Sequence, residues 1–191
     1  NSRASVGVRG IKLNGDDKVV SMSILRHFDA TSDERSAYLK MRRAVAGLAD
    51  DADTPAEDEE VNANATISQE RYAQMSAAEN LLLTISEKGS GKLSSSHDYP
   101  VRGRGGLGVA AMDRAMRGGI VASFPVELDD QIMLATSKGQ SIRVPVEGIS
   151  FRSRSAGGVK VFDTGRGEVV VSVARIADQG DATVETDADD A

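Results

Sequence analysis

The chain has no cysteine and no tryptophan, only two histidines (His27 and His97), and aromatic residues amount to 4% of its 191 positions. Without cysteine there are no disulfides and no thiolate chemistry. Two histidines alone are too few for the nitrogen and sulfur ligand sets that transition metals take. No apolar run reaches 18 residues and no signal-peptide pattern is present, so the chain reads as soluble and intracellular with no membrane contact. Scarce aromatics also weigh against one mode of nucleic-acid binding, the stacking of single-stranded bases. Only Tyr99 and Phe151 adjoin arginine clusters.

What is present is self-similarity. Between Arg104 and Arg154 the sequence repeats at an offset of 50 residues without a gap. VRGRGGLGVAAMDRAMRGGIVASF (from Val101) lies over FRSRSAGGVKVFDTGRGEVVVSV (from Phe151), and LLLTISEKGSGK (from Leu81) lies over QIMLATSKGQSI (from Gln131). A partial third copy opens the chain, where Arg3 precedes Gly7-Val8 at the same spacing. The common signature is Arg-x-x-x-Gly-Val, a turn, then an apolar strand. A period of this length indicates a repeat architecture.

The runs KVVSMSI, LLLTIS, QIMLAT and EVVVSVARI are β-branched or apolar and bounded by Gly, Asp, Asn and Ser, which predicts short strands. Asn14-Gly15, Gly118-Gly119, Lys138-Gly139 and Gly165-Arg166-Gly167 supply turns that tolerate positive φ. About four strands per repeat suits a propeller-like blade, a small sheet that must stack on its neighbours to bury its faces. The expected class is all-β, with residues 1–25 the end of one blade, 80–127 a second and 128–177 a third. Because the repeat opens in mid-blade, the sequence predicts a fragment of about two and a half blades whose natural protein continues upstream.

The net charge of −6 misleads if taken whole. Residues 26–79 hold 6 basic and 12 acidic groups, and residues 177–191 hold 6 acidic groups and no basic one. The rest, the repeats themselves, hold 17 basic and 11 acidic groups. Acidity is thus confined to an insertion and a tail, and the repeats are basic. The tail, 178–191, lacks any period and enough apolar surface to fold, so it is expected to be disordered and to compete with an anionic partner for the basic repeats.

The insertion, 26–79, predicts helices. Thr31 and Glu34 form a capping box, followed by Tyr38, Met41, Val45 and Leu48 on one helical face. After the acidic linker DDADTPAEDEE, Ser68 to Glu79 suggests a second helix carrying Tyr72 and Met75. Two roles stand open, a partner-docking hairpin or an excursion packed on a blade edge.

Catalytic-looking motifs fail on inspection. KGSGKL (Lys88 to Leu93) lacks the upstream glycine and the Ser or Thr of a phosphate loop. SSSHDY (Ser94 to Tyr99) sets Ser, His and Asp side by side, whereas a triad needs convergence in space, and His97 is expected at the surface. EDEE (Glu57 to Glu60) lacks the spacing of a calcium loop.

The strings GVRGIKLNGDDKVVSM, LLLTISEKGSGK and DQIMLATSKGQSIRVPVEGISFRSRSAGGVKVFDTGRGEVVVSVARI closely resemble the last blades of the DNA gyrase A C-terminal domain, over residues 1–25 and 80–177. The resemblance implies a β-pinwheel of six blades that exchange strands, with duplex DNA wrapped on a basic rim so that strand passage introduces negative supercoils. It implies an A2B2 heterotetramer with the remainder of gyrase A and with gyrase B, a cytoplasmic, nucleoid-associated location, and no cofactor in this region, ATP and Mg2+ belonging to other parts of the holoenzyme. The family's gyrase A box, Gln-Arg-Arg-Gly-Gly-Lys-Gly, has only a degenerate counterpart in RGRGGLG, where Arg102, Gly103 and Leu107 replace the glutamine, the first arginine and the lysine. This segment alone is therefore expected to wrap DNA poorly.

Bending duplex DNA costs roughly several kcal/mol per 20–30 base pairs, which phosphate contacts along a curved basic surface can offset. The candidate contacts are Arg3, Arg9, Arg102, Arg104, Arg152 and Arg154, with Lys88, Lys92, Lys138 and Arg143 in the preceding hairpins. A recurring arginine can instead bond the carbonyls of its own turn, so both roles stand open. Alternative functions are the homologous C-terminal domain of topoisomerase IV and a protein-binding propeller without a DNA role.

Overall fold

A computed structural model of the chain describes residues 2–46, 62, 64–113 and 118–177. The tail 178–191, the linker Asp50–Glu60 with its EDEE motif, and Leu48 lie outside the described residues.

Among the described residues seven strands form two antiparallel sheets. In the first blade β1 (Leu81–Ser86) and β2 (Ser90–Ser95) make a hairpin, and β3 (Ile120–Val126) pairs with the other edge of β1. The second blade repeats this with β4 (Gln131–Thr136), β5 (Ser141–Pro145) and β7 (Val170–Ile176). The offset of the sequence is also the offset of the register. Leu83 faces Leu93 as Met133 faces Arg143, Leu81 faces Val126 as Gln131 faces Ile176, and each central strand slips register near its end, at Ile85/Ser86 and Ala135/Thr136. Both blades are therefore built by one local program, alternating side chains across a twisted sheet.

The blades are joined by an exchanged strand. β6 (Val159–Lys160) belongs by sequence to the second repeat, yet it pairs with β2, giving strand orders β3-β1-β2-β6 and β5-β4-β7. The recurring glycine of the signature explains how it comes so close. A Cβ built on Gly158 would lie 2.5 Å from the carbonyl oxygen of Gly91, so backbone meets backbone with no room for a methyl group. One apolar core then spans the seam, with Leu83, Ile85, Leu93 and Val126 of the first blade packed on Ile132, Leu134, Val146, Ile149 and Val170 of the second.

The first copy departs from expectation. Lys18–Ile24 forms no strand, and Val19, Val20, Met22 and Ile24 are exposed. Its counterparts β3 and β7 each pair with the first strand of their own blade, and among the described residues no strand pairs with Lys18–Ile24. It is held beside β3 by the Ser21 hydroxyl, which donates to the Ser123 carbonyl.

The insertion folds as a helical hairpin. α1 (Ser32–Val45) starts at the Thr31–Glu34 capping box, and α2 (Gln69–Ala78) starts at Ser68, whose hydroxyl accepts the Arg71 amide. The buried face of α1 is Ala37, Tyr38 and Leu39, not the expected Tyr38–Met41–Val45 line, and Val45 is exposed. The stripe turned because α1 must meet α2 and the first blade together. Tyr38, Leu39 and Met75 form the hairpin's core, lined by Phe28, Ala30, Ile67 and Tyr72. Arg71 bridges to Glu34, and that bond holds the Glu34 carboxyl below its ordinary range.

Candidate nucleic-acid interface

The hairpin turns carry the most regular cations. Lys88 and Lys138 occupy the same position in the β1–β2 and β4–β5 turns, and both are exposed. The Lys138 ammonium donates to the Arg166 carbonyl at 2.7 Å. Arg143 is exposed on β5, opposite Met133. Lys88 and Lys138 sit in turns outside the strand ladders, and Arg143 lies on a strand that is mostly exposed.

A second group is assembled by the loop that carries Arg102 and Arg104. The Gly105 amide donates to the Gly10 carbonyl at 2.7 Å, and the Lys12 amide donates to the Gly106 carbonyl at 2.8 Å. Two glycine-rich segments thereby run side by side and bring Arg9, Arg102 and Arg104 onto one exposed stretch. Lys12, exposed in the same stretch, was not among the expected contacts. Its signal was present in VRGIK, but only the pairing of the two loops makes it a neighbour of Arg104. Arg3 is exposed in the turn closed by the Ser5 amide on the Ser2 carbonyl. Arg152 is half-buried, with its amide on the Leu93 carbonyl.

Lys92 and Arg154 are corrections to the expected contact set. Lys92 is 0% exposed and its ammonium donates to three carbonyls, those of Ser153, Arg154 and Ala156, at 2.5–2.7 Å. Three donors meet three acceptors, so the charge is fully hydrogen-bonded away from water. Arg154, 2% exposed, donates to the carbonyls of Asp98 and Ala110, while its amide donates to the Asp98 carboxylate at 2.6 Å. Neither side chain can reach a phosphate. They tie the exchanged segment to the first blade, and the carbonyls that Arg154 takes lie 44 and 56 residues away, not in its own turn as the alternative role had it.

Asp98 sits within this network. Burial pushes its carboxyl above the ordinary Asp value, against the opposing pull of the Arg154 amide and the charges of Arg154, Arg43 and Lys92. His97, expected at the surface, is buried. Its Nε2 donates to the Met75 carbonyl at 2.9 Å, and its ring meets the edges of Phe28 and Tyr38. Ser95 and Asp98, the other members of the triad-like string, cap and form a 3-10 turn at Ser96–Asp98. KGSGKL is a hairpin turn running into a strand, not the strand-to-helix loop that cradles phosphate. The structure thus offers no reacting constellation at either motif. It offers a set of exposed cations carried on a repeated scaffold.

A family model of the DNA gyrase C-terminal domain, a beta-propeller, matches residues 1–26, 80–125 and 130–177. The chain belongs to this family. It is 45% identical over 181 residues to the DNA gyrase A protein of Granulibacter bethesdensis, covering 90% of this chain and 19% of that protein. It is 37% identical over 184 residues to the DNA gyrase A protein of Rickettsia bellii, covering 94% and 20%. The chain therefore spans about a fifth of the length of the curated relatives it matches. A solved structure of the DNA gyrase A C-terminal domain is 25% identical, with a TM-score of 0.49, covering 52% of this chain and 34% of that one. The family model passes over residues 27–79, whereas the two relatives align with too much of this chain to leave the insertion out.

Two antiparallel blades with a strand exchanged between them agree with that membership, with the propeller-like all-β class expected from the repeat, and with the pinwheel that the resemblance implied. Among the described residues no helix is long and apolar enough to cross a membrane.

Proposed function

We propose that this chain is the DNA-wrapping end of a gyrase A protein, binding duplex DNA through phosphates along the exposed cations of successive blades. Membership of the gyrase C-terminal domain family is the observation that carries this reading. The exposed Lys88 and Lys138, at one position per blade, and the stretch of Arg9, Lys12, Arg102 and Arg104 support it. With Arg3 and Arg143 exposed and Arg152 half-buried, these cations are the proposed contacts. Phosphates look alike along the duplex, so such contacts bind with little sequence preference and weaken steeply with salt.

In this reading the whole protein is an ATP-dependent type II topoisomerase of bacterial cytoplasm. It works as an A2B2 assembly with gyrase B and is associated with the nucleoid. DNA cleavage and the use of ATP and Mg2+ belong to regions outside this chain. The chain's own contribution is to bend DNA and present it in one crossing sense.

Titrating labelled duplex against the full-length protein at about 50 and about 200 mM salt tests the reading. Six or more phosphate contacts predict a loss of about three orders of magnitude between the two. Weak binding that does not change with salt would remove the DNA role and leave a protein-binding propeller.

A further inference from the structure

Among the described residues the helical insertion meets the blades at two places, and these belong to segments far apart in sequence. One is the corner of the first blade. There His97 Nε2 donates to the Met75 carbonyl, and its ring meets those of Phe28 and Tyr38 edge-on. The other is the exchanged segment. The Arg42 guanidinium sits 4.2 Å from the centroid of the Phe151 ring, while its Nε donates to both oxygens of Glu79 at 2.8 and 2.9 Å. Glu79 thus holds Arg42 in place over the ring.

Phe151 is the first rung of that segment. It bridges to Leu93, flanked by the Leu93 amide on the Ser150 carbonyl and the Arg152 amide on the Leu93 carbonyl. Beyond it the exchanged strand itself is only two residues long, Val159–Lys160. So short a ladder is marginal by its own hydrogen bonds.

The second blade shows what the corner looks like without such cover. Its counterpart of Ser96–Asp98 is Val146–Gly148, with exposed Glu147 and Gly148 where the first blade has His97 and Asp98. The connection leading into the second blade is the four residues 127–130, against the helical hairpin leading into the first.

We propose that the α1–α2 hairpin is a clamp. Gripping the first blade at His97 and the exchanged segment at Phe151, it fixes how one blade follows the next. On the DNA-wrapping function proposed above, it thereby sets the path of the bound duplex without adding to its affinity.

The test uses the full-length protein and two variants, Arg42→Gln and a replacement of residues 27–79 by a four-residue connection like 127–130. Amide hydrogen exchange is followed at the seam and in the β4–β5 hairpin. The clamp predicts that the amides of Arg152, Val161 and Phe162 exchange about fivefold faster or more in both variants, with Gln131–Pro145 unchanged. Unchanged seam exchange in both variants, or an equal rise in both blades, overturns the clamp. The second readout is the linking number captured on relaxed circular DNA, which should shift while affinity for a short linear duplex stays within about twofold. A loosened seam with an unshifted linking number overturns the effect on the DNA path. If the unmodified protein binds no duplex, the DNA reading falls, and the exchange result still decides the clamp.

Discussion

The second strand of each blade occupies the same place in the repeat, yet the two have opposite fates. β2 is buried along its whole length, whereas β5 is mostly exposed. The difference is what lies beyond them. β2 is covered by the exchanged segment, and β5 has no strand on its outer edge among the described residues. Side-chain identity follows suit. Lys92, ligated by three carbonyls, corresponds to Ile142; Asp98 corresponds to Gly148; Gly91, pressed against Gly158, corresponds to Ser141. A basic residue in a repeat is thus not a surface marker by itself. Its role depends on whether a neighbouring segment closes over it.

The sharpest way to break this comparison is to make position 92 apolar and position 142 basic. Lys92→Met leaves the carbonyls of Ser153, Arg154 and Ala156 without their donor inside the seam, which should cost about 3 kcal/mol. Ile142→Lys, on an exposed strand, should cost less than about 0.5 kcal/mol. Urea midpoints of the two variants measure the contrast, and a Lys92→Met protein as stable as its parent would deny that the buried ammonium holds the blades together.

The next largest effect concerns the glycines. Gly158→Ala places a methyl group against the Gly91 carbonyl and should cost about 2 kcal/mol through overpacking. Gly148→Ala meets no atom within 4 Å and serves as its control. If both behave alike in thermal melts, the seam is looser than its backbone contacts indicate.

These residues also show where a single sequence can and cannot be read. The offset of 50 carried the hairpins and their turns, because those follow from local alternation and turn chemistry repeated in each copy, whereas the register slip shared by β1 and β4 is visible only in the structure. The capping box located α1 for the same local reason. Lys92 and Arg154 were misplaced as surface cations because burial by an exchanged segment is a long-range fact. The carbonyls that take Lys92 lie more than 60 residues away. Lys18–Ile24 carries strand composition in full and still forms no strand, since pairing needs an edge that composition does not supply. His97 and Val45 were misread for a related reason. A helix stripe or a polar string does not say which other element will turn toward it.

A smaller effect separates the blades by pH. Asp98, whose carboxyl is raised by burial, has no counterpart in the second blade, where Gly148 stands. Below the ordinary Asp value of 3.8 both folded and unfolded chains hold the proton and the contribution is fully favourable. As pH rises past it the unfolded chain ionises first, so this stability is lost progressively until pH exceeds the raised folded value. Asp98→Asn should remove that fall while keeping an acceptor for the Arg154 amide. Melting temperatures of parent and variant across pH 3–7 are expected to converge in acid and diverge in the variant's favour above it; parallel curves would mean that the carboxylate is solvated as well folded as unfolded.

The smallest effect tests the surface rather than the seam. Lys88→Ala and Lys138→Ala should each lower the salt slope of duplex binding by about one unit, with an affinity loss under tenfold, whereas Lys92→Met should leave the slope unchanged. Lys138 differs from Lys88 in lending a proton to the Arg166 carbonyl. An ammonium has three donors, so two remain for a phosphate, and equal slopes are expected at the two positions. A lowered slope at Lys88 alone would show that the Lys138 bond fixes its turn and withdraws the charge from DNA, and the two blades would then differ at their outer turns as they already do at β2 and β5.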